Sequence, residues 1–114
     1  MKANAIPFLA PPPEFSDLAQ ARVVVVPFGY EGGVSYGRSA AAAPQAVLEA
    51  SRQVEFYDDE LDAEPFRMGI ATMAAPTIAA DPERMVTLLC DLVDPLLAQG
   101  RFPIVVGGDH SITS

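Results

Sequence analysis

The sequence is poor in cysteine, histidine and positive charge. Its single cysteine, Cys90, excludes a disulfide within the chain and any zinc site built from four thiolates. Its single histidine, His110, leaves one imidazole for acid–base or metal chemistry. Seven basic residues stand against fifteen acidic ones, for a formal charge of −8, and the arginines are scattered singly. Without a basic cluster to overcome that field, nucleic acid is not an expected partner. No apolar run approaches the roughly 18 residues of a membrane span, so no membrane partner is expected either. The opening stretch IPFLAPPP is too short and too broken by proline for a signal segment, and the expected location is cytoplasmic.

What is present fits one small domain. The chain has 114 residues, of which 31 are Leu, Ile, Val or Phe and 18 are Ala, a globular composition thin in large side chains. Residues 1–22 read as a Pro-rich N-terminal arm, because Pro7 and the run Pro11, Pro12, Pro13 remove donors and force extended backbone; such an arm can cover a neighbour. Val23 to Val26 is a β-branched run without alternation, as in a parallel strand buried on both faces, and Pro27 is expected to end it. Gly29, Gly32, Gly33 and Gly37 punctuate a loop, after which Pro44 opens a short helix to about Arg52. Val54 and Phe56, alternating with Glu55 and Tyr57, suggest a half-covered strand, and a further short strand is expected around Gly69, Ile70 and Ala71.

The clearest helix begins at Asp81, a good N-cap, with Pro82 in the first helical position and Glu83 in the first turn. Met85, Leu89, Leu92 and Leu96 form its apolar line, flanked by Val86, Val93 and Leu97, which predicts a face broad enough to lie on a sheet. Pro95 should free the Asp91 carbonyl and bend the last turn before Gly100 stops the helix. Ile104 to Val106 is a second buried run, so helix and runs together predict a strand, helix, strand crossover in an α/β fold. Two-faced parallel strands need more cover than one long helix provides, and association between copies, as a homo-oligomer, is therefore expected.

Chemistry concentrates at the end of the last run. Gly107, Gly108, Asp109, His110 and Ser111 follow the carboxyl end of a predicted parallel strand, where open sheets of this kind bind ligands. His110 suits a divalent metal, and Asp109 is a ligand, a ring orienter or an acceptor for local backbone. The alternative for His110 is a partly buried ring satisfied by a local hydrogen bond. Contiguity argues against a relay of Asp109, His110 and Ser111, and nothing brings Ser35 or Ser39 within reach. Gly32 to Ser39 nearly satisfies the phosphate-binding P-loop, but Arg38 stands where the lysine should be and Pro44 interrupts the following helix. Asp58, Asp59, Glu60 and Asp62 read as a solvated acidic turn. Cys90, beside the apolar line, reads as a small core residue with no basic neighbour to activate it.

Taken together, the valine strand into PFGYEGGVSYGRSA, then APQAVLEAS and VEFYDDEL, and finally PIVVGGDHSITS resemble the start of the ureohydrolase family, the arginase and agmatinase group, agmatinase most closely. The resemblance implies a three-layer α/β/α sandwich on a mostly parallel sheet, of which residues 23–114 are the amino-terminal portion. It implies two manganese ions per active site, with His110 the first metal ligand and Asp109 its support, and a glycine loop shaping the pocket mouth. The family's other ligands come from DAHxD and DxDxxDP motifs downstream of GGDHS, so these residues correspond to about the first third of such an enzyme and would be inactive alone. The implied reaction is hydrolysis of a small cationic guanidino substrate, agmatine and water giving putrescine and urea. Arginase, guanidinobutyrase and formimidoylglutamase activities stay open, as does a non-catalytic structural or assembly fragment. Ala43 stands where many agmatinases have glycine before the helix-starting proline, which predicts a slightly different loop there.

Overall fold

The structure is a computed structural model, described here for residues 2–30, 42–78 and 81–108. Its frame is a three-stranded parallel sheet in the order β2-β1-β3, with β1 Val23–Phe28, β2 Ile70–Thr72 and β3 Phe102–Gly107. Helix α1, Ala43–Ser51, connects β1 to β2, and α2, Pro82–Ala98, carries the chain over β1 to β3.

The central position of β1 explains its composition. Val24, Val26 and Phe28 turn to the α2 face, where they pack with Ala71, Met73, Met85, Leu96 and the half-buried Leu92 and Val105. Val25 turns to the opposite face with its register partner Thr72, whose Oγ1 accepts from the Phe8 N–H at 2.9 Å. The next residue, Leu9, donates its N–H to Ser51 Oγ at the end of α1, also at 2.9 Å. Lead-in and α1 thus cover one face and α2 the other, the three layers expected from sequence.

Strand β1 runs through Pro27 rather than ending at it. The Phe102 N–H donates to Arg22 O at 2.7 Å and the Met73 N–H to Val25 O at 2.9 Å. Even-numbered residues of β1 therefore bond towards β3 and odd-numbered ones towards β2. Pro27 is odd, and the β1–β2 pairing stops at Val25↔Thr72, so its missing N–H removes no bond.

Helix α2 follows its sequence signals. Asp81 Oδ1 accepts from the Glu83 N–H at 3.1 Å as an N-cap, and the helix continues through Pro95. It ends in a Schellman arrangement: Gly100, at φ +72°, donates to Leu97 O at 3.0 Å and Arg101 donates to Leu96 O at 2.9 Å. The packing face is narrower than expected, however. Met85 and Leu96 are buried and Leu89, Leu92 and Val93 half-buried, but Val86 and Leu97 lie exposed. Cys90 is exposed too, so it is not the small core residue expected from its place beside the apolar line. A three-stranded sheet offers α2 only a narrow seat.

One further expectation changes. Val54 and Phe56 form no strand: Val54 is exposed, and Phe56 packs its ring on Phe66 at 4.8 Å. The chain instead makes a tight turn closed by an Asp58↔Ala63 bridge and enters β2 through a 3-10 helix, Pro65–Met68. Ala43 is the first residue of α1, preceded by Ala42 at φ −88°.

Candidate active site

The carboxyl end of the sheet carries the two motifs that matter. Phe28 of β1 pairs with Gly107 of β3, so the PFGYEGG and GGDHS segments leave the sheet from adjacent strands at the same end. This is the crevice position at which open α/β sheets bind ligands. Of these segments the described residues include Phe28, Gly29 and Tyr30 on one side and Gly107 and Gly108 on the other. Asp109, His110 and Ser111 lie outside them, as do the glycine loop from Gly32 to Gly37, Ser35, Arg38, Ser39 and the near-P-loop.

Beneath the crevice, Phe28 and Tyr30 pack on Met85 in the first turns of α2, with Ile78, Leu88 and Leu89 around them. Tyr30, which sequence reading left unassigned, is buried, and its N–H donates to Phe28 O at 2.9 Å. Its signal was available: an aromatic residue two positions past a buried strand, just before the glycines. The end of β1 is thereby fixed against α2, a rigid base for whatever the following loop presents.

The acidic turn sits elsewhere. It lies between α1 and the start of β2, at the amino end of the sheet, opposite the motif segments. Asp58 Oδ1 accepts from the N–H groups of Glu60 and Leu61 at 2.9 and 3.1 Å, capping the turn, and Asp59, Glu60 and Asp62 are exposed. The Tyr57 hydroxyl donates to Asp62, and that bond, with a smaller contribution from desolvation, raises the Tyr57 pKa above its usual 10.0. A shallow groove runs past Glu55, Phe56, Tyr57 and Asp59 to Phe66. Among the described residues no group of three or more His, Cys, Asp or Glu side chains is arranged to hold a metal, and none of these carboxylates joins the motif end. Among them, too, no helix is long and apolar enough to cross a membrane.

Comparison with known proteins gives this arrangement a context. The Arginase family profile matches residues 21–114. An N(1)-aminopropylagmatine ureohydrolase of Synechocystis sp. is 43% identical over 104 residues, covering 84% of this chain and 33% of that protein. The protein of the same name from Thermus thermophilus is 37% identical over 95 residues, covering 82% and 32%. The agmatinase of Bacillus subtilis is 27% identical over 107 residues, covering 93% and 36%. The crystal structure of agmatine ureohydrolase of Thermoplasma volcanium superposes with a TM-score of 0.79 at 25% identity, covering 99% of this chain and 36% of that one. The chain thus spans about a third of the length of the relatives it matches. A family match over most of the chain, on a parallel sheet with both motif segments at one end, makes this chain a member of the arginase family.

Proposed function

We propose that the protein acts as a ureohydrolase, hydrolysing the guanidino group of a linear, cationic substrate to urea and an amine, with manganese at the site. Support for the reaction class comes from the family match over residues 21–114 and from the ureohydrolase names of the relatives. The observation that carries the substrate is the order of identity. Relatives named for N(1)-aminopropylagmatine are 43% and 37% identical, against 27% for the agmatinase, so the aminopropyl derivative is preferred here over the agmatine expected from sequence. The two substrates share the guanidino end and differ by an aminopropyl group at the other.

In this reading, an imidazole nitrogen of His110 would be a metal donor, with Asp109 as a supporting residue. Gly107 and Gly108 keep the backbone bare where substrate approaches. Tyr30 and Phe28 hold the neighbouring strand end rigid, so the crevice wall does not yield as the substrate binds. His110 would contribute to holding divalent ions, whose chemistry when bound would be to make water a nucleophile at neutral pH, as attack on a resonance-stabilised guanidinium carbon requires. The chain's net charge of −8 suits a cationic substrate only loosely, since total charge does not locate a pocket.

Urea release by a protein that carries this chain together with the family's downstream ligand motifs, loaded with manganese and offered each substrate, tests the proposal. The expected result is a kcat/KM for N(1)-aminopropylagmatine about tenfold or more above that for agmatine. The reverse order would restore agmatine as the substrate. No urea from either would overturn the ureohydrolase reading, in favour of a structural role.

A further inference from the structure

We propose that the outer edge of β2 is a strand-addition surface whose occupant exchanges between copies, the lead-in of one protomer being replaceable there by the lead-in of a second. In the chain as folded, residues 2–4 run antiparallel to this edge. The Asn4 N–H donates to Thr72 O at 2.9 Å and the Ala74 N–H to Lys2 O at 2.8 Å, on either side of an Ala3↔Met73 bridge. These are main-chain bonds of the kind any extended segment can make at an open edge. The Asn4 side chain adds selectivity, its Nδ2 donating to Met73 O at 3.1 Å. The segment shown to fit this edge is therefore the chain's own, and a second copy carries the same segment.

The hinge between lead-in and domain favours exchange. To reach its own β2, the chain turns through Leu9 and Ala10 at φ +65° and +46°, two consecutive side-chain-bearing residues in the left-handed region. The turn is closed by the Ala10 N–H donating to Pro7 O at 3.1 Å and is held from outside by Ser51 Oγ on the Leu9 N–H and Thr72 Oγ1 on the Phe8 N–H. Pro12, at φ −53° and ψ 146°, holds extended backbone ahead of a 3-10 helix, Pro13–Phe15, so an arm released from the turn leaves that helix in an extended direction. An arm reaching a neighbour need not make the left-handed turn, and short strained hinges are where exchange between protomers occurs. Self-complementarity at the edge and strain in the closed form thus point to the same occupant.

Disulfide trapping between two single-cysteine chains tests this. Both carry Cys90→Ser; one adds Ala3→Cys and the other Met73→Cys. The two positions are directly opposed without mutual hydrogen bonds, the closer kind of antiparallel pair and within reach of a disulfide. After mixing and mild oxidation, the expected product is a mixed dimer several-fold more abundant than in a control that places the cysteine at the exposed Ala19 instead of Ala3. Replacing Leu9 and Ala10 by glycine, which relieves the closed turn, should lower that yield. The proposal is overturned if the mixed dimer does not exceed the control while a chain carrying both cysteines closes on itself completely. Should loss of the buried Met73 side chain prevent folding, Lys2→Cys with Ala74→Cys repeats the comparison one position along, with the same two outcomes.

Discussion

Pro27 stands opposite Val106 in the β1–β3 register, with its ring nitrogen turned to the other side, where β2 has already ended. Its neighbours lack that freedom, since Val24 and Val26 direct their N–H groups at β3. Pro27→Val should therefore change stability by no more than about 1 kcal/mol, the scale of the proline entropy effect. Val24→Pro should prevent folding, because it removes a central ladder bond. Urea denaturation of the two variants checks the pair.

A proline after a valine run signals a strand end, but which side its nitrogen faces depends on a register that only pairing reveals. Helix α2 was legible because its signals are local: Asp81, Pro82 and Gly100 act through their own turns. The valine run and the weaker Gly69-Ile70-Ala71 signal also gave strands where expected. Val54 and Phe56 misled because two alternating residues carry no information about a partner strand, and Phe56 found Phe66 instead. Cys90 misled because the periodic stripe fixes the centre of the buried face, whereas its width depends on how many strands lie beneath. At the candidate site, the sheet places the two motif segments side by side, whereas the role of His110 rests on the motif.

Gly69 and Gly100 both have positive φ, +93° and +72°, but only Gly69 is crowded: a Cβ there would sit 2.9 Å from Ala21 Cα. Gly100→Ala should cost about 1–2 kcal/mol, the penalty for left-handed backbone. Gly69→Ala should cost clearly more, since backbone must move as well. Denaturant midpoints with an unchanged slope would show the difference.

On α2, Leu96 is fully buried and Leu97, one residue on, is 57% exposed. Leu96→Ala should destabilise by about 2–5 kcal/mol through lost transfer energy and a cavity. Leu97→Ala should stay within about 0.5 kcal/mol. Equal effects would show that Leu97 is covered in solution, for instance by a second copy.

Tyr57 provides a pH signature. Its raised pKa means that the folded chain holds the phenol proton more tightly than the unfolded chain does. The associated stabilisation is complete below pH 10.0, the unfolded value, and is lost as pH rises through the higher folded value. In an ultraviolet phenolate titration, Tyr57 should titrate late, identified by difference from Tyr57→Phe. Asp62→Asn should bring it back down while keeping the turn, because Asn tolerates the φ of +50° at that position.

The role of His110 makes separate demands on this chain and on an enzyme that joins it to the family's DAHxD and DxDxxDP motifs. A lone imidazole with at most one adjacent carboxylate leaves most coordination positions to water, so the chain itself should bind manganese only weakly. Calorimetric titration at neutral pH that found a tight stoichiometric site surviving His110→Ala would remove His110 from the assignment. In such an enzyme, His110→Ala should lower turnover by about a hundredfold or more and leave the circular dichroism spectrum unchanged. Asp109→Asn, which keeps a hydrogen-bonding side chain but removes its charge, should weaken manganese affinity by about 10–100-fold. If affinity fell alike in both variants while Asp109→Ala was no worse than Asp109→Asn, Asp109 would be a direct ligand rather than a support. Turnover by His110→Ala within about twofold of the parent would mean that the metal is held without it.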